Sequence, residues 1–431
     1  MTVVQRRIDA GCGCDAPARR GDTISLDQAL RRIAGQVLCV DGVERVDLAQ
    51  ASGRVLAAPI RALADMPRFD HAAVDGYALR WSDLTGAGPW TLAVALRCAA
   101  GDGGHTALPP GACARILTGA PVPQGADCVV MQEAVARGPD GIVLRARPDP
   151  GANIRRRAEE YSRGADIVPP GLRIGPRGIA AAASAGHGDL VVRRRLRLAL
   201  LVSGAEIAPP GAPRPGRAGI WDVNTPMLRA ALARPDLDLR IVDHLPDDIA
   251  ATRQALGRAA QDCDLVVTTG GVSVGEEDHL RAAVRDLGGR EIFAGVAIKP
   301  GKPVAFGRLG GALWLGLPGN PQSAFVTWAL FGEPILAGLS GCAGADRPGH
   351  RARLSHPVRR RPGRCELRPA RVVGWDATGR ARVEAAAPVR SGQVGLLALS
   401  DGLVVLPARD GDLAAGALVD FLPFRSERGH G

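Results

Sequence analysis

The chain contains only two lysines among its 54 Lys and Arg residues, and both stand in one tetrapeptide, Lys299-Pro300-Gly301-Lys302. A compact, strongly hydrated ammonium is not equivalent to a planar guanidinium, so two lysines retained at one turn of an arginine-rich chain point to chemistry there. Two ammonium groups on a stiff Pro-Gly turn suit an anion. A second cluster, TTGGVSVGEED at 268–278, follows a short apolar run. Its Thr269, Gly270, Gly271, Ser273 and Gly275 allow close backbone approach to a ligand, and N–H groups entering the next helix face a phosphate placed there. Asp278 could hold a divalent cation bridging to that phosphate, although acids at a helix start also complement the dipole. The same segment matches the G-x-S-x-G nucleophile pattern, but no HGGG-type oxyanion motif is present, and His350, His356 and His430 follow no strand of the region expected to form the sheet.

Four further loops carry candidate groups. SGAE at 203–206 brings Glu206, a second possible metal ligand. LPGNPQS at 317–323 brings Pro318, Gly319, Asn320 and Ser323, with Ser323 expected to cap the following helix. FDHAAVDGYAL at 69–79 places Asp75 at an Asp-Gly turn, and RILTGAPVPQGAD at 115–127 offers Thr118 and Gly119. Each alone reads as a punctuated turn. Loops bearing Lys, Glu, Asp and Gly that converge at one sheet edge would form a phosphate and metal site.

The elements needed to position these groups are visible in the apolar pattern. From 196 to 340 short apolar strands (196–202, 239–242, 265–268, 314–317) alternate with amphipathic stretches (224–234, 248–260, 276–287, 323–339). That alternation predicts a parallel sheet covered on both faces, a doubly wound α/β domain that binds ligands beyond the carboxyl ends of its strands. Residues 58–150 and 350–425 are rich in Gly and Pro with short apolar runs. They read as a β-rich module and a β-barrel or sandwich. Ser25 and Gln28 form a capping box before the spacing Leu26, Ala29, Leu30, Ile33. A second helix is expected over about 45–57, and another over 178–185 closing on Gly186.

Composition excludes some functions and leaves others open. At 431 residues and 46% hydrophobic content the chain is multidomain and globular. It has no apolar stretch long enough for a membrane helix, and its start lacks a signal segment, so a cytoplasmic protein is expected. Nine cysteines do not suggest a disulfide framework, and Cys12 and Cys14 have no second ligand pair at metal spacing. The net charge of +10 is compatible with nucleic acid, but 7 Phe, 6 Trp and 2 Tyr provide few stacking platforms, and a small anionic ligand explains the charge as well. The arginine clusters at 155–157, 193–195 and 359–361 are expected on solvated faces or turn flanks.

Taken together, FDHAAVDGYAL, RILTGAPVPQGADCVVMQE, GANIRRRAEE, SGAEI, IWDVNTPML, TTGGVSVGEEDHL, IKPGKPVAFG and LPGNPQSA resemble the molybdopterin molybdenumtransferase family, related to the C-terminal part of gephyrin. The motifs run in family order across about 22–425. The resemblance implies a loose tail at 1–21, a segmented linking domain at 22–57 and 151–191, an inserted β-rich module at 58–150, a molybdopterin-binding α/β domain at 192–345 and a C-terminal β-barrel at 346–431. It further implies a homodimer whose active site joins the central domain of one subunit to the inserted module of the other. Asp75 and Thr118 would come from the module, and Glu206, Asp278, Lys299, Lys302 and the loops 270–275 and 318–323 from the central domain.

The implied reaction inserts molybdate into adenylylated molybdopterin with Mg2+, giving molybdenum cofactor and AMP, with hand-over to molybdoenzymes or their chaperones. Neither nucleic acid nor membrane is an implied partner. The chain departs from the family pattern at Ala205, where Asp is usual, at His71-Ala72-Ala73-Val74 before Asp75, and at Ala158, where Gly is usual. The acid missing at Ala205 leaves open a non-catalytic pterin-binding scaffold of the same fold.

Overall fold

The computed structural model describes residues 23–103, 106–204, 206–212, 219–271, 279–343, 350–387 and 394–424. Its centre rests on strands with apolar side chains on both faces: Leu196–Ser203, Leu265–Thr269 and Ala312–Leu317. Within the first, Leu198, Leu200 and Val202 belong to one core, while Ala199 and Leu201 belong to another. A strand apolar on both sides must be covered twice. Ile249–Asp262 and His279–Asp286 cover one face through Leu256, Ala259, Leu280 and Val284. Asn224–Leu232 and the helical run from Pro321 to Leu339 cover the other.

The sheet has six strands, in the order Leu237–Leu245, Leu196–Ser203, Leu265–Thr269, Ala312–Leu317, Ala305–Leu309, Arg290–Ala294. The first four are parallel, as the alternation predicts. The last two depart from that expectation, because Ala305–Leu309 runs antiparallel to both of its neighbours. A two-residue Gly310-Gly311 connection, with φ +58° at Gly310, folds this strand back on Ala312–Leu317. Gly307 in the returning strand leaves no space for a side chain, since a Cβ would lie 2.5 Å from the Arg290 carbonyl oxygen.

Helix ends follow local chemistry in part. Ser25 Oγ accepts from Gln28 N and Gln28 Oε1 accepts from Ser25 N, which closes the capping box of Leu26–Ala34. The helix Pro176–Ser184 ends just before Gly186, which takes φ +93°. Ser323, however, is not a cap. Asn320 occupies the N-cap position with Pro321 at N1, where its fixed φ suits a helix start, and Ser323 is buried inside the first turn. The helix then widens into a π-helical stretch, Trp328–Gly332, before resuming as Glu333–Leu339. The expected helix at 45–57 is also corrected. Val43–Asp47 is a strand paired with Asp189–Arg193, and only Leu48–Ala51 forms a helical turn.

The outgoing and returning chain segments form three antiparallel ribbons. Val43–Asp47 pairs with Asp189–Arg193, Ile60–Arg61 with Asp166–Val168, and His71–Ala72 with Ile154–Arg155. Beyond the last ribbon lies a second six-stranded sheet. Its order is Cys128–Met131, Gly76–Leu79, Ala112–Ile116, Trp90–Cys98, Gly141–Leu144, Val135–Gly138.

Near the C-terminus, His350–Leu354, Cys365–Trp375, Ala381–Ala385, Gly402–Leu406 and Leu418–Pro423 close into a barrel. Leu354, Val383, Val404 and Phe421 are among its core residues. The two-residue strand Ile298–Lys299 leaves the central domain and pairs in parallel with this barrel. No helix among the described residues is long and apolar enough to cross a membrane.

The arginine clusters do more than flank turns. Arg155, Arg156 and Arg157 pair with Glu159, Asp70 and Asp65 respectively, and Arg194 with Asp264. Arg360 is almost wholly buried in the barrel wall, contrary to a solvated face.

Candidate active site

Three of the loops named from sequence meet at the carboxyl edge of the parallel strands. Gly270 has φ +84°, and a Cβ there would lie 2.7 Å from both the carbonyl oxygen and Oγ of Ser203. A Cβ on Gly319 would lie 3.4 Å from Gly270 Cα. These glycines therefore allow the loops after Leu196–Ser203, Leu265–Thr269 and Ala312–Leu317 to touch.

Asn224, buried to 4% exposure at the start of its helix, ties two of them together. Its Nδ2 donates to Thr269 Oγ1 and to the Gly319 carbonyl, both at 2.7 Å, while its Oδ1 has no hydrogen-bond partner among the described residues. Gln322 is fully buried, and both of its amide atoms likewise lack a partner among the described residues. Buried unsatisfied amides are rare, and at a ligand-facing loop they suit groups that a ligand completes. Asn224 lies within the IWDVNTPML motif and Gln322 within LPGNPQSA, yet neither was singled out as a site residue from sequence. A polar residue among apolar helix positions was the available signal.

Glu206 stands at the rim of this edge. It is exposed, and its carboxylate folds back so that a Cβ on Gly204 would lie 2.7 Å from Oε2. A carboxylate with no ion-pair partner among the described residues, beside a glycine-lined edge, fits the donor chemistry of a hard divalent cation, which takes one or two carboxylates and completes its shell from phosphate and water. The other expected metal ligand, Asp278, lies outside the described residues, as do Ser273 and Gly275 of the same loop and Ala205. Among the described residues no group of three or more His, Cys, Asp or Glu is arranged to hold a metal ion.

The Lys299–Lys302 loop leads into Ala305, which pairs with Gly316 near the carboxyl end of Ala312–Leu317. Gly301 (φ +105°) packs on the helix that follows Asn320, where a Cβ would lie 2.5 Å from Thr327 Cγ2. Lys302 is exposed and has no ion-pair partner among the described residues. Lys299 Nζ instead lies 3.3 Å from Glu366 Oε1 on the barrel.

Asp75 and Thr118 form a separate cluster on the second sheet. Asp75 Oδ1 accepts from Thr118 N at 2.8 Å and from Thr118 Oγ1 at 2.7 Å. These two bonds, with Arg115 nearby, hold the Asp75 carboxyl below its ordinary range. Arg115, not anticipated from sequence, donates to the Gly76 carbonyl and to Gln132 Oε1. Gly76 itself admits no side chain, since a Cβ would sit 1.9 Å from the Val130 carbonyl oxygen. Gly119 takes φ +78° and donates its N–H to the Ala72 carbonyl. Among the described residues no hydrogen bond or ion pair links this cluster to Glu206, Gly270 or Lys302 of the same chain.

Comparison with known proteins matches three stretches of the chain to family models. Residues 24–186 match the MoeA N-terminal region (domain I and II), 199–338 a probable molybdopterin binding domain, and 351–424 the MoeA C-terminal region (domain IV). A molybdopterin molybdenumtransferase of Haemophilus influenzae is 33% identical over 404 residues, covering 93% of this chain and 98% of the relative. Molybdopterin molybdenumtransferase 2 of Mycobacterium tuberculosis is 34% identical over 398 residues, covering 90% and 97%. A crystal structure of a molybdopterin biosynthesis MoeA protein from Pyrococcus horikoshii superposes with a TM-score of 0.76 at 29% identity, covering 94% of this chain and all of that one. A crystal structure of molybdopterin biosynthesis MoeA protein from Pyrococcus horikoshii OT3 gives 0.79 at 26% identity, covering 93% of this chain and all of that one.

Proposed function

The chain belongs to the molybdopterin molybdenumtransferase family, and from that premise we propose that it inserts molybdate into adenylylated molybdopterin with Mg2+, releasing AMP. The observation that carries this reading is the meeting of the Ser203, Gly270 and Gly319 loops over Asn224, with the Lys299–Lys302 turn leading into Ala305, which pairs with Gly316 at the end of the neighbouring strand. The glycine-lined edge would receive the pterin phosphate and the diphosphate, with backbone N–H groups as donors. Asn224 Oδ1 and the Gln322 amide, without partners among the described residues, would complete their hydrogen bonds on the pterin. Lys299 and Lys302 would attract the anions, molybdate included, and offset the charge that develops as the phosphoanhydride breaks.

Glu206 with Asp278 would hold Mg2+. When bound, the ion polarises the phosphoryl group being cleaved. Asp75, held ionised by Thr118, would position the nucleophile or the metal from a partner subunit, which explains why it stands apart from the central loops within one chain. The working unit is then a cytoplasmic homodimer that hands its product to molybdoenzymes or their chaperones.

Purified protein given adenylylated molybdopterin, Mg2+ and molybdate should release AMP in a molybdate-dependent manner. Replacing both lysines with alanine should abolish that release while leaving the circular-dichroism melt nearly unchanged. Pterin binding without turnover in the unaltered protein would instead favour a scaffold.

A further inference from the structure

The barrel holds one carboxylate among three cations. Glu366, at 6% exposure, has Arg368 Nη2 3.0 Å and Arg360 Nε 3.6 Å from its Oε2, whereas its Oε1 faces Lys299 Nζ at 3.3 Å. The two guanidiniums are themselves fixed in the wall. Arg368 donates to the Arg359 carbonyl, and Arg360 to the carbonyls of Pro407 and Arg364. The carboxylate is therefore fixed, and Oε1 is left for the lysine.

The backbone delivers that lysine to it. Ile298 pairs with Cys365 and Lys299 with Glu366 in parallel register, and Cys365 N donates to the Ala297 carbonyl at 2.9 Å. A free lysine carries four rotatable bonds and spreads its charge over many positions. Here a rigid acceptor on another domain selects one. We propose that Glu366 is a positioning residue for Lys299, so that the barrel wall aims the ammonium of the central loop at the anionic substrate. This role in turnover rests on the function proposed above; the pairing itself is tested independently of it.

The chain offers a direct readout, because Lys299 and Lys302 are its only lysines and both are exposed. Trace acetylation of the full chain with acetic anhydride, followed by peptide mass spectrometry, reports each ammonium separately. In the unaltered protein Lys299 should acetylate about threefold more slowly than Lys302, a factor typical of one half-exposed ion pair. Glu366→Gln should close that gap, and Glu384→Gln on the same barrel should leave it unchanged. Should Glu366→Gln not fold, raising the salt concentration on the unaltered protein should narrow the gap by screening. In turnover, Glu366→Gln should raise KM for molybdate more than it lowers kcat, and Glu366→Asp should recover most of the loss. Equal acetylation of the two lysines, or an unchanged ratio in a folded Glu366→Gln protein, overturns the proposal. The expected acetylation pattern in a protein that shows no molybdate-dependent AMP release would sink the functional reading and leave the pairing in place.

Discussion

Asp75 and Thr118 are joined twice through one oxygen, Oδ1, which accepts both the backbone N–H and the hydroxyl of Thr118. One bond depends on the side chain and the other does not, so the two can be separated. Thr118→Ala removes only the hydroxyl donor. The folded Asp75 carboxyl then rises toward its ordinary value, and the acidic limb of the kcat/KM profile for AMP release moves to higher pH. At the pH optimum, loss of one charge-assisted bond should lower kcat/KM by about tenfold. An unshifted acidic limb would separate Asp75 from the chemistry.

Asn224 supplies donors to two acceptors, Thr269 Oγ1 and the Gly319 carbonyl. In Asn224→Asp a carboxylate oxygen replaces the amide nitrogen and faces acceptors. The Gly319 carbonyl loses its bond and the loops separate. Stability should fall by about 2 kcal/mol, the cost of leaving buried polar groups unpaired, and KM for the adenylylated pterin should rise. Urea unfolding and substrate titration of the same preparation check both effects.

Ala158 adopts φ +61° while donating its N–H to the Pro67 carbonyl. This is the position at which the resembling family usually carries glycine. A left-handed alanine is strained, so Ala158→Gly should stabilise the protein by about 1 kcal/mol, read as a higher denaturation midpoint. A lower midpoint would mean that the strain is not relieved by removing the methyl group.

Asp264 collects both guanidinium nitrogens of Arg194, together with the backbone N–H and guanidinium of Arg197. Burial works to raise its pKa, but these bonds outweigh it and hold the carboxyl at about 2. A depressed folded pKa stabilises above the unfolded value and is lost as pH falls through the folded one. The contribution, about 2 kcal/mol, is therefore complete above about pH 4 and fades toward pH 2. Asp264→Asn should lose that amount at pH 6, and the difference from the unaltered protein should shrink below pH 4 in chemical denaturation. A gap that stays constant with pH would remove the ion pair as its source.

Much of this arrangement was legible locally. The capping box at Ser25 needs only four residues, and the loops at 203–206, 268–271 and 317–320 announce themselves by glycine and proline after apolar strands. What escaped depends on partners distant in the chain. Val43–Asp47 reads as a helix because its propensity is weak, and it becomes a strand by pairing with Asp189–Arg193. The reversed strand Ala305–Leu309 did carry a signal, the Gly310-Gly311 dipeptide between apolar runs, which was not used. Lys299 was identified from composition, but its counterion Glu366 sits on a different sheet, and no local period connects them. The metal-ligand expectation for Asp278 falls outside the described residues.

The three nested ribbons bring Ala72 and Ile154 side by side, although a whole sheet separates them along the chain. Residues 73–153 are thus a cassette hung from adjoining backbone. A short reverse turn could splice Ala72 to Ile154 with little chain to close, leaving the central sheet and the barrel as a truncated protein able to fold. Grafting the cassette back would restore Asp75 and Thr118 together, as a transplantable unit whose return to activity could be read on its own.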